Sequence, residues 1–359
     1  MASKPSADTT CLSPILASPG SLNPSPVQSP ARTVVLVTGG RGLVGSAVRA
    51  VVEEAQSAGG SPLWPAAAEF VFASSADADL RDSSATCALF ARVRPTHVLH
   101  TAGAVGGLFR NMREPVDLGR ENILINDSVM ESSRTHGCKL ITFLSTCIFP
   151  DKTSYPIDET MLHDGPPHSS NAAYAHAKRF AEVMTRAYRE QHGCRFSCVV
   201  PTNIYGPHDN FELANAHVIP ALVHKALLAK RDGSKFVVAG SGSPLRQFVH
   251  SRDLARLALI ALFAYDEAEP LILSVGESQE VSIRRVAELV AAATGLVAAQ
   301  TDFDESRPDG QHKKTASNAK LLRFLAGRGI EFAFVPVEAG IRETVEWLRD
   351  HYDEPQVRR

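Results

Sequence analysis

From residue 33 onward the chain alternates short apolar runs with longer segments of mixed polarity. T-V-V-L-V at 33–37, E-F-V-F-A-S-S at 69–75, P-T-H-V-L-H-T-A-G at 95–103, K-L-I-T-F-L-S-T-C at 139–147, R-F-S-C-V-V at 195–200 and L-I-L-S-V at 271–275 are rich in β-branched and aromatic residues. Their length and composition predict buried strands. Helical spacing falls between them, over 121–134, through the Ala-rich stretch around Tyr174, and over S-R-D-L-A-R-L-A-L-I-A-L at 251–262. Strand, helix, strand, helix in sequence predicts an α/β chain built on a doubly wound parallel sheet.

The pattern fails only at the start. Residues 1–32 are dense in Ser, Pro and Ala with neither helical nor strand period, and are expected to be a disordered extension. The expected organisation is then a Rossmann domain over 33–203, with returning segments at about 247–276. A smaller α/β substrate-binding region takes up 204–246 and 277–359. It includes V-I-P-A-L-V-H-K-A-L-L-A-K at 218–230, a helix with Pro220 in its first turn.

Composition narrows the partners. The 359 residues are 44% hydrophobic with a formal net charge of -2 and no Lys/Arg cluster, which argues against nucleic acid. No apolar run approaches the roughly 18 residues of a membrane span. A small-molecule partner is expected, with no metal. The six cysteines show no pairing rhythm and no CxxC zinc pattern. They suggest a reducing compartment, hence cytoplasmic residence, with organelle targeting by the N-terminal extension as the minor alternative.

The first strand runs into T-G-G-R-G-L-V-G, which spaces Gly39, Gly42 and Gly45 as GxxGxxG at the start of a helix. Glycines there permit a tight turn and let backbone approach a pyrophosphate, while Leu43 and Val44 open a helix whose N-terminus offers free N–H groups. The second strand ends at Ser74 and Ser75, where an acid would hold both ribose hydroxyls of NAD. Arg41 in the glycine loop can meet a 2′-phosphate in forked geometry, or it is a solvated loop charge. Together these favour NADPH/NADP. Asp79 and Leu80 would border the adenine, and Thr101, Ala102 and Gly103 place small residues where backbone passes a cofactor.

Ser145 and Cys147 stand at the end of the fourth strand, and strand period would point both from one face. Further on, Tyr174 and Lys178 share a helix face at i and i+4. A phenol of ordinary pKa about 10 is a poor acid or base near neutrality unless an ammonium stands beside it. Tyr174 could then exchange a proton with a substrate oxygen held by Ser145 while hydride moves to or from the adjoining carbon.

TGGRGLVG, the Ser145/Tyr174/Lys178 set, PTNIYGP from Pro201 and RQFVHSRD from Arg246 resemble the extended short-chain dehydrogenase/reductase family over nearly all of the chain after 32. GGLFRN at Gly106, STCIFP, YPIDET at Tyr155, PTNIYGPHDNF, HVIPAL at His217, ILSVGE at Ile272 and KKTASN at Lys313 tie it to members that act on a GDP-sugar. That resemblance implies epimerisation at carbons 3 and 5 of a GDP-4-keto-6-deoxyhexose, followed by NADPH reduction of the ketone. It implies Cys147 and His217 as the epimerisation acid/base pair. It also places Pro201, Asn203, Ile204 and His217 beside the cofactor and Asn203, Lys225, Arg246 and Asp309 on the substrate. Asp309 in R-P-D-G is equally readable as a solvated turn residue. A homodimer is implied, through the 121–134 helix and the Tyr174 helix. Ala239 departs from the family, which carries an aromatic there beside the nucleotide.

Two other functions fit parts of the sequence. A 4-epimerase that retains NAD would need no Cys147/His217 pair and would favour an acid after the second strand. A non-enzymatic NADPH-binding regulator would have a broken Ser/Tyr/Lys set, and here the set is intact.

Overall fold

A computed structural model describes residues 32–355 and 357, apart from 308 and 310. Except for Arg32, the extension expected to be disordered lies outside the described residues. The first half contains β1 (Val34–Thr38), α1 (Leu43–Ser57), β2 (Glu69–Ala73), α2 (Ser83–Val93), β3 (His97–His100), α3 (Leu108–Arg113), α4 (Pro115–Thr135), β4 (Lys139–Phe143), α5 (Ala172–His192) and β5 (Phe196–Pro201). The second half contains β6 (Asn203–Tyr205), α6 (Val218–Asp232), β7 (Phe236–Ala239), β8 (Leu245–Arg246), β9 (Phe248–His250), α7 (Ser251–Ala264), β10 (Leu271–Leu273), β11 (Val281–Ser282), α8 (Ile283–Thr294), β12 (Thr301–Asp304), α9 (Ala319–Ala326) and α10 (Val337–Asp350).

Six strands form the central sheet in the order β10-β5-β4-β3-β1-β2, every pair parallel. Parallel strands need crossovers, so helices must cover both faces. The two-residue period divides the core accordingly. Val35, Val37, Leu99 and Ile141 face α1 and α7, while Leu36, Val98 and Leu140 face α2, α4 and α5. A third apolar cluster joins Leu222, Val223, Phe236, Val286, Val290, Ile341 and Val345 from α6, β7, α8 and α10, away from the sheet. Three two-stranded ladders serve that later part: β6 with β9, β7 with β12, and β8 with β11.

One element differs from expectation. The strand expected to continue through Cys147 ends at Phe143, so Ser145 and Cys147 do not project from a common strand face. Ser145 instead caps a single 3-10 turn, Thr146–Ile148, and its hydroxyl accepts from the Cys147 N–H at 3.3 Å. A serine at a strand end can satisfy a local backbone donor, and that bond competes with the ladder. The stretch after Pro201 begins with β6, whose Asn203 N–H donates to the Gln247 carbonyl at 3.3 Å. The chain order reverses between β1 and β3, and this switch point opens a crevice at the carboxyl ends of the strands.

No described helix is long and apolar enough to cross a membrane. Cys87, Cys138, Cys147, Cys194 and Cys198 are all free thiols, and Cys11 lies outside the described residues.

Candidate active site

The crevice begins with the glycine turn. Gly39 adopts φ +68, a left-handed conformation that costs an L side chain roughly 1–2 kcal/mol. A Cβ on Gly45 would stand 2.4 Å from the Gly39 carbonyl oxygen, so only glycine lets α1 start this close to the turn. Gly42 precedes α1 without any side-chain cap, and Leu43 and Val44 follow as its first residues, half-buried. The unpaired N–H groups of this first turn face the crevice as an anion-binding end. Across it, the Thr101 hydroxyl donates to the Thr38 carbonyl at 2.6 Å, and the Ala102 N–H reaches the Thr38 hydroxyl at 3.3 Å.

At the end of β2, the Asp77 carboxylate accepts from the Ser74 N–H and hydroxyl at 2.8 and 2.9 Å. Those bonds hold its pKa below the usual carboxylate range, with Arg92 and Arg41 contributing. That acid is therefore tied into its own turn, within reach of the charge of the exposed Arg41. Asp79 is exposed and paired with Arg81 at 2.8 Å, with Leu80 half-buried next to it. This donor set fits a dinucleotide carrying an additional phosphate: a bare helix N-terminus, a glycine cradle, serines where a ribose-binding acid would otherwise stand, and the Arg41 guanidinium in the glycine loop.

Beyond β4 four side chains converge. The Ser145 hydroxyl lies close enough to the Tyr174 phenol and the Cys147 thiol to act on both. Burial pushes the phenol well above its ordinary range, helped by Cys147 and opposed by Ser145. Cys147 is 7% exposed, and burial raises its thiol pKa against the opposing influence of Lys314, Ser145 and Lys178. Lys178 donates to the Phe143 carbonyl at 2.9 Å and stands 6.0 Å from the centre of the Tyr174 ring. Burial lowers its pKa to about 8. Gly103 lies against this group, since a Cβ there would be 3.4 Å from Lys178 Nζ and 2.9 Å from Asn122 Oδ1.

Among the described residues His217 makes no hydrogen bond to that cluster. It occupies the N-cap position of α6 with no side-chain bond, more than a third exposed yet crowded enough that desolvation lowers its pKa. Its loop is tied to the opposite wall, where the Gly107 N–H donates to the Asn215 carbonyl at 3.2 Å. Pro201 ends β5, and Asn203 and Ile204 follow it in β6, where the Asn203 amide also donates to Gln247 at 2.8 Å.

The expected substrate residues fall into two groups. Arg246 donates to the carbonyls of Leu245 and Gln311 at 2.6 Å each, and desolvation lowers its pKa despite Glu280 and Tyr155. Lys225 lines a separate cavity of about 260 Å³ with Leu228, Val237, Ala239, Asp304 and Arg307. Asp309 sits at the end of β7, accepting from the Ser241 N–H and hydroxyl at 3.0 and 2.7 Å. Pro308 and Gly310 of its turn lie outside the described residues.

Three residues near the cluster were given no role by sequence reasoning. Arg179 follows Lys178 and donates to the Ile148 carbonyl behind Cys147. Asn122 of α4 donates to the Ala104 and Leu118 carbonyls, leaving its buried Oδ1 unpartnered. Lys314 acts on the Cys147 thiol. The first was detectable as a neighbour of the YxxxK pair; the other two depend on packing between distant segments.

Comparison with known proteins places this geometry. The NAD dependent epimerase/dehydratase family matches residues 35–276. A GDP-L-fucose synthase of Dictyostelium discoideum is 46% identical over 91% of this chain and 98% of its own length. A probable GDP-L-fucose synthase of Drosophila melanogaster is 49% identical over 89% of this chain and 98% of its own. The crystal structure of a GDP-L-fucose synthetase from Naegleria fowleri bound to NADP superposes with a TM-score of 0.84 at 43% identity, covering 93% of this chain and 97% of that one.

Proposed function

We propose a reaction for this chain, which belongs to the NAD dependent epimerase/dehydratase family and, within it, to the GDP-L-fucose synthases. It is an NADP-dependent epimerase and reductase that converts GDP-4-keto-6-deoxy-D-mannose to GDP-L-fucose. The observation that carries the residue roles is the convergence of Ser145, Cys147, Tyr174 and Lys178 beyond β4, with Ser145 bound to the Cys147 N–H at 3.3 Å and near the Tyr174 phenol, and Lys178 held by the Phe143 carbonyl at 2.9 Å. One oxyanion site then serves proton transfer and reduction alike.

In this reading the sugar ketone accepts hydrogen bonds from Ser145 and Tyr174. Its polarisation acidifies the hydrogens on carbons 3 and 5, and the resulting enolate is stabilised by the same two donors. Cys147 and His217 exchange protons with those carbons. NADPH, when bound, would supply the hydride that carbon 4 receives. Tyr174 gives its proton to the ketone oxygen, and Lys178 holds the phenol and the cofactor ribose in place. Gly39, Arg41, Gly42, Leu43, Val44, Gly45, Asp79, Leu80, Thr101, Ala102, Gly103, Pro201, Asn203 and Ile204 would border the cofactor.

Arg246 would meet the diphosphate, with Lys225 and Asp309 farther out toward the nucleoside. The cavity at Ala239 would receive the base without an aromatic shelf. The chain from 33 to 203, with 247–276, would hold the cofactor, and the remainder the GDP-sugar. We also propose a homodimer through α4 and α5, which leave Ile123, Leu124, Phe180 and Val183 more than a third exposed. A monomer at micromolar concentration in sedimentation would remove that proposal.

Incubation with GDP-4-keto-6-deoxy-D-mannose and NADPH tests the reaction. Loss of absorbance at the reduced nicotinamide band must accompany a product of the L-galacto configuration. Reduction without inversion at carbons 3 and 5 would defeat the proposal. A pH prediction follows from Lys178. With its pKa lowered to about 8, the ammonium is present below that pH and lost above it. The reductive rate is expected to fall as pH rises through about 8, and Lys178→Met should be slower and lack the inflection. A wild-type rate that climbs steadily from pH 7 to 9.5 would contradict this role.

A further inference from the structure

His100 closes β3 and is 1% exposed, so each of its ring nitrogens needs a partner inside the protein. Its Nδ1 lies 2.8 Å from the Thr38 hydroxyl at the end of β1, and its Nε2 lies 3.1 Å from Asn126 Oδ1 on α4. Thr38 is itself wholly buried and holds the start of the segment that follows β3. Its hydroxyl accepts from the Ala102 N–H at 3.3 Å, and its carbonyl accepts from the Thr101 hydroxyl at 2.6 Å. That segment packs directly on the glycine turn, since a Cβ on Gly39 would stand 3.0 Å from Ala102 Cα and from Thr101 Oγ1.

These contacts fix where each proton sits. A backbone N–H can only donate, so the Thr38 oxygen accepts from Ala102. Among the described residues the Thr38 hydroxyl hydrogen then has one acceptor, His100 Nδ1. An Nδ1 that accepts leaves the ring proton on Nε2, which donates to Asn126 Oδ1. The opposite tautomer would aim two donors at the Thr38 oxygen and strand its hydroxyl hydrogen in the core. Asn126 does not decide between them, because either orientation of its amide leaves one atom unbonded. A charged imidazole is excluded as well: burial and the Lys178 ammonium hold the His100 pKa down to about 3, against the Asn126 bond.

We infer that His100 is a positioning residue for the cofactor site: as the neutral Nε2–H imidazole it orients the Thr38 hydroxyl, which holds Ala102 at a set distance from the glycine turn. The inference rests on the reading of Thr101, Ala102 and Gly103 as a border of the cofactor. The chain of bonds crosses the switch point, from β1 through β3 to α4. Asn122, one turn before Asn126, donates to the Ala104 carbonyl at 2.8 Å, so α4 grips the segment at a second point. Between the two grips Gly103 passes Lys178, where a Cβ would stand 3.4 Å from Nζ. A shift at Ala102 is therefore felt both at the glycine turn and at the ammonium. His100 exchanges no proton in the reaction; its part is to set geometry.

NADPH titration of the full chain, followed by fluorescence, tests this in His100→Leu, Thr38→Val, the double variant and Thr38→Ser. Each of the first two is expected to weaken NADPH binding about tenfold, the scale of one buried hydrogen bond, and to leave the KM for the GDP-sugar unchanged. The double variant should bind no more weakly than either single one, because both break the same chain. Thr38→Ser keeps the hydroxyl and should bind as the wild type does. A residue serving stability alone would lower the melting temperature and leave the affinity of the folded protein as it was. Nitrogen-15 spectra of the histidine-labelled wild type should show a protonated Nε2 and a bare Nδ1 that shifts in Thr38→Ser, which locates the proton even where His100→Leu does not fold. A protonated Nδ1 overturns the inference, and so do losses that add in the double variant. The expected tautomer with unchanged affinity in a folded His100→Leu removes Thr101, Ala102 and Gly103 from the cofactor border and takes the inference with it.

Discussion

Tyr174→Phe is expected to lower the rate of ketone reduction by about 10²–10⁴-fold, the range that a positioned general acid contributes. The direction follows from the environment of the phenol. Burial and the neighbouring thiol both raise its pKa, and the Ser145 hydroxyl opposes them. A phenol so placed is protonated across the working pH range, which is the state needed to deliver a proton to a carbonyl oxygen as hydride arrives. Phenylalanine keeps the ring and loses the donor. Cofactor affinity should therefore change little, because Lys178 retains its bond to the Phe143 carbonyl. Rapid-mixing measurement of nicotinamide oxidation separates the two quantities. Hydride transfer within threefold of wild type would remove Tyr174 from the acid's role.

The parts of this site readable in the sequence are those with local geometry. Gly39, Gly42 and Gly45 act within one turn, and Tyr174 and Lys178 within one helical turn, so spacing alone conveyed their arrangement. The alternation of strands and helices likewise conveyed the sheet, because each core face is set by a two-residue period that Val35, Leu36 and Val37 display. The end of β4 was misread for a local reason. An apolar run does not reveal that the next serine will bind its own backbone and turn the chain, as Ser145 does. Lys314 escaped for a non-local one: its effect on Cys147 depends on the Ile157 and Ala316 bridge and on Gln247, contacts between segments far apart in the chain. The separation of Lys225 from Arg246, with a cavity around the former, is also a product of tertiary packing.

Cys147→Ser tests the half of the chemistry that the Ser/Tyr/Lys set does not explain. A serine hydroxyl matches the thiol in shape and can still contact Ser145, so the turn Thr146–Ile148 should persist. What is lost is acidity: a thiol of ordinary pKa about 8.5 can form a thiolate near neutrality, and an alkyl hydroxyl cannot. Burial raises the thiol pKa, and Lys314, Ser145 and Lys178 oppose the rise. Solvent deuterium incorporation at carbons 3 and 5, followed by NMR in the absence of NADPH, is expected to fall by about 10²–10⁴-fold. NADPH binding should be unchanged, since the glycine turn and Lys178 are untouched. Reduction of a substrate already inverted at both carbons should proceed at close to the wild-type rate, because Tyr174 and Ser145 remain. Equal loss of exchange and reduction would mean that the substitution has disturbed the shared oxyanion site, and undiminished exchange would leave proton abstraction to some other group.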